Sequence, residues 1–177
     1  MLHPLLDRDH IDAEPETYLR SIGTAFAVFD EHTQTSGNVS YGVRIGFERY
    51  FVKTAGRPHD PRPVLKHPER VARLRNAVRV WRSCPHPALP RLHRVIESPE
   101  GPLLVYQWVD GELLGVPRAH RDDPASPFQR FRRLPAPAIL GRLDTLFELH
   151  AALARRGWVA VDFYDGCLIY DFRSNRL

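Results

Sequence analysis

Residues 39–54, VSYGVRIGFERYFVKT, decide the fold class of this chain. The runs 39–45 and 49–54 are rich in β-branched and aromatic residues, which suit a pleated surface, and Gly46-Phe47-Glu48 reads as the turn between two strands. Upstream, residues 24–30, TAFAVFD, read as another strand, set off by the polar stretch HTQTSGN at 32–38. Three successive strands with short connections predict an antiparallel meander, since parallel neighbours need a long crossover. Lys53 falls near the end of the third strand.

Outward from this core, residues 1–14 read as a loose lead-in, and 15–22 as a short helix with Pro15 in its first turn and Gly23 near its end. Downstream, 55–63 is a proline- and glycine-marked loop. Helical spacing begins at Pro68, with Val71, Leu74, Val78 and Trp81 on one face, and Arg70, Arg73, Arg75, Arg79 and Arg82 on the other. Glu69 is the only acid of this helix. After the loop 84–90, residues 91–96 and 103–109 predict two more strands around the turn Ser98-Pro99-Glu100-Gly101.

The proline-, arginine- and aspartate-rich stretch 115–137 reads as a connector with room for a short helix. From 138 to 156 a helical stripe returns, Leu140, Leu143, Leu146, Phe147, His150 and Leu153 sharing a face until Gly157. The predicted fold is α+β: a five-stranded antiparallel sheet with one helix, followed by a helical portion. Its expected parts are an N-terminal extension with a short helix over 1–23, the sheet over 24–110, and the helical part over 111–177.

At 177 residues, 43% of them hydrophobic, the chain can bury one ordinary core. No apolar run approaches the roughly eighteen residues of a membrane span, and the N-terminus is polar, so neither a span nor a signal peptide is expected and the expected compartment is the cytoplasm. Cys84 and Cys167 lack metal-like spacing and read as free thiols. The net charge of +4 is carried almost wholly by arginine, Lys53 and Lys66 being the only lysines. That skew singles out Lys53, because a site needing only positive charge here would have become arginine, whereas an ammonium approaches a phosphate as a compact point charge. The arginines are spread along the chain without a nucleic-acid motif, so no nucleic-acid partner is expected. An arginine-rich binder acting through residues 118–133 is the third reading, and it would show steep salt dependence.

The last twenty residues, WVAVDFYDGCLIYDFRSNRL from Trp158 to Leu177, contain two apolar runs, 158–161 and 167–170, that read as strands. Between them Asp162 and Asp165 sit on a tight turn, which is how a fold aims acids into a cleft. The same residues also make an ordinary hairpin turn, and this stretch leaves both readings open.

Taken in order, these segments resemble the protein-kinase-like phosphotransferases, the superfamily that also holds aminoglycoside and other small-molecule kinases; VAVDFYDGCLIYDF looks like a bacterial serine/threonine kinase-like subgroup. The resemblance covers the nucleotide-binding lobe and the start of the second lobe. It implies ATP under the loop from Thr33 to Val39, with Gly37 at the last loop glycine, Val39 at the valine that packs on adenine, and Thr33 and Thr35 in place of the earlier glycines. It puts Lys53 on the α and β phosphates with Glu69 as its ion-pair partner. Gln107 and Val109 would offer backbone groups to adenine, and Tyr106 would set the depth of the pocket.

Asp162 takes the place of the catalytic aspartate that orients an acceptor hydroxyl, on a protein or a small molecule. Cys167 stands where the family has a metal-binding asparagine; since a thiol suits hard Mg2+ poorly, the resemblance leaves Asp165, on the same turn, as the candidate ligand in its place. The resemblance ends before the family's magnesium-binding Asp motif, because Asp171 closes the preceding strand. It therefore implies an ATP-dependent phosphotransferase truncated before a carboxylate that transfer needs. The alternative is a catalytically inactive, pseudokinase-like module that binds nucleotide or protein. Plainer roles stand beside these: Lys53 as a solvated strand end, Glu69 as an acid favouring a helix N-terminus. A helix at 138–156 without its family neighbours would expose leucines and self-associate.

Overall fold

The expected meander is the centre of a five-stranded antiparallel sheet. Its strands are β1 (Thr24–Phe29), β2 (Val39–Ile45), β3 (Glu48–Thr54), β4 (Leu92–Ile96) and β5 (Leu103–Gln107), in the order β1-β2-β3-β5-β4. This computed structural model describes residues 2–30, 36–60 and 62–177. The chain divides into two compact units, residues 1–83 with 90–108, and residues 84–89 with 109–177. The fold is mixed α+β.

Register sorts the sheet into two faces. Tyr41 lies opposite Val52 and Val43 opposite Tyr50, while Ser40 lies opposite Lys53 and Gly42 opposite Phe51. Residues opposite one another in an antiparallel ladder share a face. One face therefore carries Tyr41, Val43, Tyr50, Val52, Leu103 and Val105, all buried in one apolar cluster. The other carries Phe51, Lys53, Leu104 and Tyr106.

The first face is covered by the N-terminal segment, which is packed rather than loose. Leu5 and Leu19 are fully buried and Ile11 nearly so, within the same cluster, and α1 (Pro15–Ile22) contributes Leu19. Three devices pin the segment. The His3 Nδ1 accepts the N–H groups of Leu5 and Leu6, the Tyr18 hydroxyl donates to the carbonyl of Pro4, and Ile11 and Asp9 exchange backbone bonds with Glu97 just past β4. Leu5, Ile11 and Leu19 follow no helical or strand period, so sequence offered no signal; a buried sheet face, which must be covered, recruited them.

On the second face α2 (His67–Ser83) buries Leu74 and Val78 against Leu92, Leu104 and Ala55. Arg70 was expected on the polar side of this helix, yet it is among the most buried residues, 1% exposed. Its guanidinium donates to the carbonyls of Ala55 at 2.6 Å and Arg57 at 3.0 Å, and also to that of Gly37. One side chain thus closes the loop leaving β3 and the approach to β2, because each buried carbonyl needs a donor.

The second unit holds α3 (Pro127–Arg132), α4 (Ala136–Ala154) and a small ladder of β6 (Glu112–Leu113) with β7 (Ile169–Tyr170). The hairpin expected around Asp162 is not formed. Residues 158–161 are not a strand, Val159 and Val161 being 80% and 91% exposed, and β7 pairs with β6 instead. An apolar run of four residues specifies a strand only where a partner edge is available, and the two-residue β6 left no periodic trace. Likewise the predicted strand 103–109 stops at Gln107, with Val109 beyond it in the second unit.

The apolar stripe of α4 is split. Leu149, Ala152 and Leu153 are buried, whereas Leu140, Leu143 and Phe147 are 58%, 41% and 70% exposed. Among the described residues no helix is long and apolar enough to cross a membrane.

Two outcomes follow from this packing. Replacing Arg70 by Met leaves three carbonyls without their donor and should cost about 3 kcal/mol in urea unfolding; a loss under about 1 kcal/mol would show that the carbonyls are otherwise satisfied. Sizing chromatography with light scattering should show concentration-dependent self-association that Leu143→Lys with Phe147→Glu suppresses. A monomeric parent would count against the exposed stripe as its cause.

Candidate functional site

The candidate groups fall into two sets, one in each unit. In the first unit, the Lys53 face of the sheet is lined with rings. The Phe51 ring lies 5.9 Å from that of Phe29 and 6.5 Å from that of Tyr106, and Phe26 meets Trp108 edge-on at 4.7 Å. Gly42 makes room for this, since a Cβ there would stand 2.8 Å from the Phe26 ring and 2.9 Å from the Trp108 ring. Burial pushes the Tyr106 phenol up to about 12, so it stays a neutral hydroxyl at ordinary pH. With Lys53 beside them, these residues form a surface of stacking rings and one ammonium.

The loop residues are placed differently from expectation. Val39 projects from the face opposite Lys53, packing with Tyr41 and Val43, and it is Ser40 that lies across from Lys53. Counting back from the turn at Gly46 could have revealed this, because a tight hairpin fixes the pairing. Gly37 has φ +80°, and a Cβ there would fall 2.2 Å from the Pro63 ring, so the position requires glycine for conformation and packing together. Thr33 and Thr35 lie outside the described residues.

Glu69 is exposed and makes no ion pair among the described residues; its carboxylate accepts the Lys66 N–H at 2.8 Å. The expected partner of Lys53 is therefore a cap of its own helix, because an acid in the first turn reaches back to an orphan N–H. Gln107 keeps its N–H in the sheet, donating to the carbonyl of Arg91 at 2.8 Å.

In the second unit the acidic loop is held by its flanks. The Phe163 ring meets His150 of α4 edge-on at 4.7 Å, which anchors the residue next to Asp162. Asp162 is exposed, and its carbonyl accepts from the exposed Cys167 thiol at 3.6 Å across the turn. Residues 165–167 form a single 3-10 turn rather than the start of a strand. Asp165 pairs with Arg121 at 3.1 Å, and its carbonyl accepts the Gly115 N–H at 3.0 Å. A Cβ on Gly115 would lie 2.5 Å from the Gly166 Cα, so two glycines let these segments touch. The Arg121 guanidinium also covers the Phe128 ring at 4.5 Å. Nothing in the sequence marked Arg121 as the partner of Asp165, since the two are far apart along the chain.

This arrangement does not fit a magnesium ion. The Asp165 carboxylate is committed to a guanidinium, Cys167 offers soft sulfur, and among the described residues no group of three or more His, Cys, Asp or Glu is placed to hold a metal.

Asp171 is a structural acid. The Ser174 hydroxyl donates to it at 2.6 Å and the Arg173 N–H at 2.9 Å, while its backbone pairs with Arg176. Comparison with protein-family models and with curated proteins finds no match to this chain.

Those bonds to Asp171, the Ser174 hydroxyl foremost, hold its carboxyl below the usual value of 3.8. A lowered carboxylate stabilises the fold above its unfolded value and loses that contribution as pH falls through the folded one. Amide exchange in residues 171–176 should therefore quicken only in acid below the ordinary aspartate range, and Asp171→Asn should remove that acid dependence. An unchanged acid profile in the variant would assign the effect elsewhere.

Proposed function

We propose that this chain carries the nucleotide-binding part of an ATP-dependent, protein-kinase-like phosphotransferase. The observation that carries the reading is the β1-β2-β3-β5-β4 sheet with Lys53 on a half-buried, ring-lined face. Aromatic surfaces stack on purine bases at about 1–3 kcal/mol per base, and an ammonium pairs with phosphate oxygens. In this reading Lys53 holds the α and β phosphates, and Phe51, Tyr106 and Ser40 border the nucleotide in place of Val39. Asp162, exposed on its loop, orients an acceptor hydroxyl.

A second reading, a pseudokinase-like module that binds nucleotide without transferring phosphate, draws on two observations. Glu69 caps its own helix, and Asp165 is paired with Arg121, so neither supports the charge handling that phosphoryl transfer demands.

A thermal-shift titration with ATP, with and without magnesium, tests both. The parent should be stabilised, by about 2.7 kcal/mol at a hundredfold excess of ATP over its Kd, and Lys53→Ala should lose most of the shift. An unshifted parent rules out both nucleotide readings. Where radiolabelled phosphate is transferred, Asp162→Asn should slow it by about 10²-fold or more; equal rates would end the role given to Asp162. Stabilisation that needs no magnesium, without transfer, selects the second reading.

A further inference from the structure

The sheet face opposite Lys53 carries a cavity of about 370 Å³ that the nucleotide reading does not use. Its size is within the range of small-molecule pockets. Pro15, Val28 and Val39 give it apolar wall, and Tyr41, Glu14 and Glu100 reach it with polar groups. It belongs wholly to the first unit.

Charge matching in this cavity is incomplete. Its arginines are spent locally: Glu16 takes both Arg20 at 3.0 Å and Arg57 at 3.3 Å, and Asp60 takes Arg62 at 2.9 Å. Two carboxylates are left over. That of Glu14 accepts only the Thr17 hydroxyl, at 3.2 Å, and that of half-buried Glu100 has no hydrogen bond among the described residues. The two sense one another: burial pushes the Glu100 carboxyl up and the negative charge of Glu14 adds to the rise, against a smaller pull downward from Arg57 and His59.

The floor of the cavity gives an independent sign. Tyr41 is 5% exposed, yet its hydroxyl has no hydrogen-bond partner among the described residues. Every other buried tyrosine has one: Tyr50 donates to Glu48, and Tyr170 to Asn175. Tyr41 lines the cavity, so its oxygen can accept an N–H from a ligand there.

We propose that this cavity binds a small aliphatic ammonium compound. The ammonium lies between the carboxylates of Glu14 and Glu100 and donates to the Tyr41 oxygen, and the alkyl chain lies on Pro15, Val28 and Val39. Ammonium is the cation that fits, because its three N–H donors match two carboxylates and one phenol oxygen, and a short alkyl stem matches the apolar wall. A neutral alcohol of equal length would leave both carboxylates unmatched. The inference is independent of the nucleotide reading, since the two sites use opposite faces of the sheet.

Putrescine titrated into the full chain near neutral pH, followed by amide-resolved NMR, tests it. Shifts should cluster at residues 14–16, 41, 54–57 and 100, and butanediol should not reproduce them. Glu100→Gln should weaken binding about tenfold or more, as expected for a lost charge-assisted hydrogen bond. Tyr41→Phe removes an oxygen that bonds none of the described residues, so it should weaken binding several-fold while leaving the melting temperature unchanged. That variant keeps the test decisive if Glu100→Gln folds poorly. No shift at these residues with millimolar putrescine, equal shifts with butanediol, or parental affinity in Tyr41→Phe would each overturn the proposal.

Discussion

The pairing of Ser40 with Lys53 and of Tyr41 with Val52 governs what each face of this protein can do. Side chains alternate with a period of two along a strand, so a slip of one residue would exchange the whole set. With the register as it stands, Lys53 shares its face with Phe51 and Tyr106, and the face of Tyr41 and Val39 turns toward the N-terminal segment. A tight turn after Ile45 and a buried row of Tyr41, Val43, Tyr50 and Val52 hold that register, because exposing those four side chains to water would be costly.

Coverage of the two faces is unequal, and that inequality creates the candidate sites. The N-terminal segment and α1 cover the Tyr41 face except at the cavity, where Glu14 and Glu100 make no ion pair among the described residues. On the Lys53 face α2 packs against Ala55, Leu92 and Leu104, and the Phe29 and Phe51 rings stay half-buried. Arg70 bonds the carbonyls of Gly37 and Ala55, tying together the chain entering β2 and the chain leaving β3 at one end of that pair. A buried guanidinium surrounded by carbonyls rather than carboxylates acts as a multidentate donor, so its role is geometric as much as electrostatic.

The second unit is governed by local polar bonds more than by a large core. Arg130 holds Glu112 through two contacts of 2.8 Å and covers the Phe172 ring, and Arg121 holds Asp165. These pairs are partly exposed, so each contributes of order 1 kcal/mol at most and their effect is to set loop geometry. The stripe of Leu140, Leu143 and Phe147 on α4 shows the complementary situation, apolar area left in contact with solvent.

The longer strands and helices were legible from residues because each is long enough to show its period: β2 and β3 through their aromatic and β-branched runs, α2 through Leu74 and Val78, α4 through its leucines. Short or aperiodic features were not legible. The burial of Leu5 and Ile11, the inward turn of Arg70, the two-residue β6 and the absence of a hairpin around Asp162 all depend on contacts distant in sequence. The same limit applies to the sites. Residue type marked out Lys53, Asp162 and Asp165 as chemically capable groups, but their surroundings came from packing: Ser40 rather than Val39 across from Lys53, Glu69 turned to its own helix, Arg121 on Asp165, and Tyr41 lining a cavity with no hydrogen-bond partner among the described residues. Local periodicity is written in neighbouring residues, whereas register, burial and charge pairing arise only once remote segments meet.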